Sequence, residues 1–330
     1  MCVVQECSPD LVMGYGCDAL CRSLWMEART FGIPTVYHVF NGNHHHYRFP
    51  LHDMVLTDSE ATAKIYKETE GLTIHPYGIC INADLVTAKT RNPQTVTFIN
   101  PAFAKGVAIV ARLILMANKE RPDISFMVVE SRKKFADALR ALKKPGGEVG
   151  SAFQNQTFKN IALRDATFNV SEIYATTKVL VAPSLWYESW GRVTTEATMN
   201  GIPVLASQSG GIPEAVGTGG ITLPVPESNQ GKDENWLVLP SEEECRPWAD
   251  ALYELYDNTE KWQEGCRKNA EQHSLKVTGD RILKLLQPLL RKKAGDNDFT
   301  RLGSVRYDGD PLDWEEFKKA GRKRAKPASE

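Results

Sequence analysis

The chain has 330 residues, enough for about two domains, each with a core that needs no disulfide or structural metal. Apolar residues make up 42% and charged residues 25%, with 24 Gly and 18 Pro; these ordinary globular values exclude a disordered, collagen-like or repeat-dominated chain. Lys and Arg total 40 against 41 Asp and Glu, a net charge of −1 that argues against a nucleic-acid or membrane-surface binder.

Short β-branched runs alternate with helical stretches. Strands are expected at Asp10–Tyr15, Thr35–Phe40, Asp53–Thr57 and Leu72–His75, with helices at Ala19–Thr30 and Ser59–Thr69. The pattern then restarts. Thr95–Ile99, Ser125–Glu130, Asn160–Leu163, Lys178–Ala182 and Pro203–Ala206 read as strands. Gly106–Asn118, Arg132–Leu142, Ser171–Ala175 and Val193–Asn200 read as helices, the last stopped by Gly201 with Pro203 beyond. Strands separated by helices predict parallel, doubly wound sheets. The polar segment 84–95 marks a seam between two α/β modules. Helices from Glu242 to Lys293 close the second module, and Ala294–Glu330 is a charged tail.

Seven scattered cysteines without a CxxC pair fit reduced thiols in a cytosolic protein. The longest apolar stretch, Gly106–Ala117, is broken by Arg112 and too short to span a bilayer. No signal-peptide pattern opens the chain. The expected location is cytoplasmic, with peripheral membrane contact as an alternative; the GRKRAK run at 321–326 reads as a solvated end.

The chemistry concentrates between Pro183 and Gly220. A buried strand ends there, the chain turns through Glu188, Ser189, Trp190 and Gly191, and a helix follows. In open α/β sheets the ligand crevice lies outside the carboxyl ends of the strands. A glycine at a helix start lets free N–H groups approach an anion, aided by the helix dipole. Glu188 and Glu196, eight residues apart, make better sense as acceptors for hydroxyl groups, such as those of a sugar and a ribose, than as phosphate neighbours.

The run ESWGRVTTE (188–196), preceded by APS (182–184) and followed by EATMNGIPVLAS (196–207) and GGIPEAV (210–216), resembles the E-x7-E signature of family-4 retaining glycosyltransferases of the GT-B fold. The resemblance extends over about residues 94–290. It implies that Lys105 neutralises the donor diphosphate, that Glu188 holds sugar hydroxyls and that Glu196 holds the ribose. It further implies donor contacts from Ser189, Trp190, Gly191 and Arg192. The family's arginine five residues before the lysine is Asn100 here, and Arg132 is a candidate substitute for the lost charge. The first module resembles only the later strands of the family's acceptor-side domain, so a shortened first domain is expected.

A family histidine near the reacting sugar aligns with Phe40, while His38 lies two residues earlier; His38 is the candidate taken here, with His44, His45 and His46 in the following loop. No carboxylate pattern accompanies the triple histidine, and the acidic pairs at 296–298 and 308–310 lie in the tail, so no metal site is expected. Asn155-Gln-Thr and Asn169-Val-Ser fit sequons that a cytosolic protein does not use.

The expectation is therefore an α/β, GT-B-like chain: two Rossmann-like, doubly wound parallel-sheet domains facing a cleft, the first truncated. The domains are 1–93 on the acceptor side, 94–293 for the nucleotide sugar, and the tail 294–330. The resemblance implies a retaining glycosyltransferase that uses a nucleotide diphosphate sugar as donor, with no metal and no permanently bound cofactor. The acceptor is a carbohydrate, lipid-linked or small-molecule hydroxyl, and a missing N-terminal segment or partner chain would complete the first domain. The alternatives are an inactive nucleotide-sugar-binding module, an epimerase or a phosphorylase.

Overall fold

The structure, a computed structural model, describes residues 9–16, 18–42, 49–153 and 158–293. Cys2, Cys7, Cys17, the His44–His46 run, the sequon at Asn155 and the whole tail from 294 lie outside the described residues.

The first module contains β1 (Val12–Gly14), α1 (Ala19–Thr30), β2 (Thr35–Val39), β3 (Met54–Thr57), α2 (Glu60–Glu70) and β4 (His75–Pro76). Its strands are parallel and lie in sequence order, β1-β2-β3-β4. Local chemistry sets the helix limits. The Asp18 carboxylate accepts from the N–H groups of Leu20 and Cys21 to start α1; Ser59 does the same for α2 through Thr62, and Gly71 ends α2 in a left-handed conformation. The strand expected over 72–75 arrives late. Ile74 is drawn into the core with Trp25, Tyr37 and Tyr66, and pairing with β3 begins only at His75.

A short helix, α3 (Ala83–Val86), leads into the second module. There β5 (Thr95–Ile99), α4 (Val107–Glu120), β6 (Ser125–Glu130), α5 (Phe135–Ala141) and β7 (Ile161–Asp165) run outward. Then α6 (Ser171–Thr176), β8 (Thr177–Ala182), α7 (Arg192–Met199), β9 (Val204–Ser207), α8 (Ile212–Val216) and β10 (Gly220–Leu223) build the other side. The six strands are all parallel in the order β10-β9-β8-β5-β6-β7, so the winding reverses between β5 and β8. β10 was not expected from the sequence. Val96, Phe98, Phe126 and Val128 face one way, against α4. Met127 and Val129 face the other, against Ile173. Burial on both faces explains why these strands read as continuous apolar runs.

The chain closes with α9 (Arg246–Asp257), α10 (Gln263–Gln272) and α11 (Leu275–Lys293). Trp248, Ala249, Leu252 and Leu255 of α9 fill the core beside α4. The last helix behaves differently from the others expected to close the second module. Its Ile282, Leu285, Leu286 and Leu289 pack on Leu11, Val36, Met54, Leu56 and Tyr77 of the first. Burying each such side chain contributes roughly 1.5–3 kcal/mol. The two crossings between modules touch: Ile81 and Ser274 form an isolated parallel bridge.

Candidate functional site

A cavity of about 350 Å³ opens at the carboxyl ends of β5, β6 and β8, where the winding reverses. Its wall includes Asn100 after β5, Lys105, Ser131 and Arg132 after β6, Ser184 and Glu188 after β8, and Gly191, Arg192 and Thr194 at the start of α7. This is where an open α/β sheet offers its binding crevice.

Backbone packing brings the two sides of that wall together. The carbonyl of Ala104 accepts from the N–H groups of Leu185 and Trp186, at 2.9 and 3.0 Å, and from Ser184 Oγ at 3.2 Å. Gly106 makes this approach possible: its φ is +82°, and a Cβ there would lie 2.0 Å from the carbonyl oxygen of Pro183. Across the turn the Lys105 ammonium pairs with the Glu188 carboxylate, which also accepts from Ser184 Oγ at 2.8 Å. The Lys105 side chain is 34% exposed and that of Glu188 18%, so both meet the cavity at its mouth. The Gly210–Gly211 pair explains the glycines after β9. A Cβ on Gly210 would lie 2.0 Å from the carbonyl oxygen of Glu188, whose oxygen accepts from Gly211 N–H at 2.8 Å.

α7 starts at Gly191 with no capping side chain. The Thr194 N–H donates to the Gly191 carbonyl at 2.9 Å, and the N–H groups of Arg192 and Val193 stand ahead of it where the positive end of the helix dipole faces the cavity. Asn100 takes φ +67°, a left-handed conformation that asparagine tolerates, and its buried Oδ1 has no hydrogen-bond partner. Arg132 is exposed at the rim.

Four of the expected site residues sit off this wall. Glu196 is 6% exposed; one carboxylate oxygen accepts from Tyr174 Oη at 2.7 Å and the other from Arg192 Nε at 2.5 Å. Burial first, and the Glu196 charge second, push the Tyr174 phenol well above its ordinary pKa, which keeps it a hydrogen-bond donor. Trp190 turns into the interior, where its Nε1 donates to Thr195 Oγ1 at 2.9 Å and its ring meets His273 edge-on. Ser189 points to the first module. His38 is buried on β2 beneath Phe40, with ring centroids 3.8 Å apart and Tyr77 close by.

Two carboxylates that the sequence did not single out link the modules. Asp58, just after β3, meets His38 Nε2 at 3.0 Å through Oδ1 and accepts from Ser189 Oγ at 2.8 Å through Oδ2. Glu214 in α8 accepts from the N–H groups of Glu60 and Ala61, both at 2.8 Å, at the start of α2. A helix N-terminus favours such a carboxylate. Arg91 donates to the carbonyls of Thr177, Tyr174 and Asn200. Asn200 in turn binds Val86 and Ala88, fixing the linker to the end of α7. Apart from His38 and Asp58, these partners are more than 80 residues apart in the chain, and no local pattern announces them.

Among the described residues, no group of three or more His, Cys, Asp or Glu is placed to hold a metal ion. Nor is any described helix long and apolar enough to cross a membrane.

The chain is similar in structure to several solved glycosyltransferases. It superposes on the pneumococcal O-GlcNAc transferase GtfA, solved with UDP and GlcNAc, at a TM-score of 0.61 and 17% identity, covering 82% of this chain and 55% of GtfA. This chain thus spans little more than half of that protein. A glycosyltransferase from Rickettsia africae gives 0.65 and 13%, covering 88% of this chain and 79% of that one. Anabaena HepE with UDP-glucose gives 0.59 and 15%, covering 88% and 80%. At these identities the likeness concerns the fold, which is the GT-B arrangement of two parallel-sheet domains. No curated protein matches by sequence. Residues 160–270, which carry Glu188, Gly191, Glu196 and Gly210–Gly211, match the family described as Glycosyl transferases group 1.

Proposed function

We propose that this chain is a retaining glycosyltransferase that moves a sugar from a nucleotide diphosphate sugar to an acceptor hydroxyl. The observation that carries this reading is the Lys105–Glu188 pair at the winding reversal, beside the uncapped start of α7; Glu188 and α7 lie within the stretch that matches the glycosyltransferase family. Lys105 and the α7 N–H groups stabilise the diphosphate as its charge grows in the transition state. A diphosphate competes with Glu188 for the ammonium, which frees the carboxylate to accept from sugar hydroxyls. Arg132 adds charge from the opposite rim. Arg192, held by Glu196, adds it from the helix start, so Glu196 acts through Arg192. A departing phosphate oxygen takes the acceptor proton, and the chain then needs no separate base. His38 is 6% exposed beneath Phe40 and meets Asp58, and in this reading it serves Asp58 rather than the acceptor.

The solved relatives suggest uridine donors as the first to try: GtfA was solved with UDP and HepE with UDP-glucose. The test is to incubate the full chain with UDP-glucose, UDP-N-acetylglucosamine and their guanosine counterparts, and to measure both binding and released nucleotide. Release from one donor, with product retaining the anomeric configuration, supports the proposal. Inversion, or a requirement for inorganic phosphate, overturns it. Asn100 favours one second reading, a nucleotide-sugar-binding module without turnover, because it removes a cation from the leaving-group site. Donor binding without release from any donor distinguishes it.

A further inference from the structure

We propose that Asp58 is a positioning residue for Glu188, so that the donor-side carboxylate is correctly aimed only when the first module is docked against it; this rests on the reading of Glu188 given above. The turn Asp58–Ala61 exchanges carboxylate contacts with the second module in both directions. Asp58 offers its own carboxylate to Ser189 Oγ, at 2.8 Å, and the next two amides beyond Ser59 receive the carboxylate of Glu214, at 2.8 Å each. Both second-module partners adjoin segments that set the Glu188 backbone. Ser189 is its neighbour in sequence, and the loop leading to Glu214 holds the Glu188 carbonyl through Gly211 N–H at 2.8 Å. Tyr187, on the other side of Glu188, packs its ring against Gly42 of the first module. The three residues 187–189 are thus held from both modules, while only Glu188 turns to the cavity.

Asp58 is suited to this work because it cannot relax toward solvent. It is 5% exposed, and its other oxygen is occupied by His38 Nε2 at 3.0 Å, on the neighbouring strand β2. A carboxylate fixed at one oxygen presents the other in one direction. Separating the modules strips Ser189 from it and exchanges that hydrogen bond for water, so Ser189 loses the acceptor that orients it. His38 acquires a role in this scheme without touching substrate: it anchors Asp58. Glu214 complements the arrangement from the opposite side, so the contact does not depend on a single bond.

The experiment uses the full chain, with Ser189→Ala, Asp58→Asn and the double variant. Ser189→Ala deletes only a hydroxyl and leaves the Asp58–His38 contact in place, so folding is preserved. With a donor that the wild type cleaves, kcat is expected to fall at least tenfold in each single variant, with UDP affinity within threefold of wild type. The double variant is expected to fall no further than the weaker single. Hydrogen–deuterium exchange gives a readout that needs no substrate. Peptides covering 58–63 and 186–192 are both expected to exchange at least fivefold faster in Ser189→Ala. Faster exchange in 186–192 alone overturns the proposal, as do additive losses of kcat or a loss of UDP affinity that tracks kcat. A wild type that binds no nucleotide overturns the glycosyltransferase reading instead, and the exchange comparison still decides the part played by Asp58.

Discussion

Replacing Lys105 by alanine removes the cation that faces the Glu188 carboxylate at the mouth of the cavity. Two consequences separate. The ion pair is partly open to water, with 34% and 18% of the two side chains exposed, so its loss costs stability less than about 1 kcal/mol. Glu188 also keeps the Ser184 hydroxyl at 2.8 Å. The effect on transfer is larger. A unit of negative charge growing about 4 Å from the ammonium, at an effective dielectric constant of about 20, is stabilised by about 4 kcal/mol. Solvent at the open mouth trims this to roughly 3 kcal/mol, or about a hundredfold in rate. Nucleotide release measured with saturating donor, beside a thermal unfolding curve, checks both halves. A variant that turns over within about threefold of wild type refutes the assignment of Lys105. So does a loss of activity accompanied by unfolding, which places the lysine in the fold rather than the chemistry.

Glu188→Gln keeps the shape and the Ser184 contact but removes the charge; transfer is expected to fall at least about tenfold with an unchanged melting temperature, read by the same two assays. Gly106→Ala forces a side chain into φ +82° and against the Pro183 carbonyl, so the urea midpoint is expected to fall by an equivalent of about 3 kcal/mol or more. His273 is buried beside Trp190, and its pKa is pushed down from 6.5 to about 4, chiefly by burial and then by the Arg281 charge. Between those values the unfolded chain binds the proton and the folded chain does not. Stability is therefore full above pH 6.5 and falls as the pH drops toward 4. Urea titrations at pH 7 and pH 4.5 are expected to show about 2 kcal/mol less acid loss in His273→Gln than in wild type. Equal losses would remove His273 from the account.

The alternation of β-branched runs with helical stretches was enough to read the two parallel modules, because strands buried on both faces write long apolar runs into the chain. Local signals also singled out Glu188, since it follows a strand whose carboxyl end must face the crevice, whereas Lys105 came from the family resemblance. Glu196 and Trp190 show where such reading stops. Both lie within the same loop and helix, but Tyr174, Arg192 and His273 determine which way they turn, and two of those three are contributed by other elements. Asp58 falls between the strand expected to end at Thr57 and the helix expected from Ser59; its partner Ser189 lies 131 positions away. Likewise, the apolar spacing of α11 announces a helix with one buried stripe, but it does not say which module that stripe will cover.

Because α11 completes the first module from the far end of the chain, that module is not a contiguous stretch of sequence. A protein ended after residue 272 would leave Val36, Leu56 and Tyr77 without their cover and expose an apolar face. The two halves cannot simply be cut apart and studied separately; a permuted chain that joins α11 to the start of the first module is the natural way to obtain it alone. The double crossing ties the modules together at a second point in the sequence. With Ile81 and Ser274 side by side, both connections cross between the modules at one place.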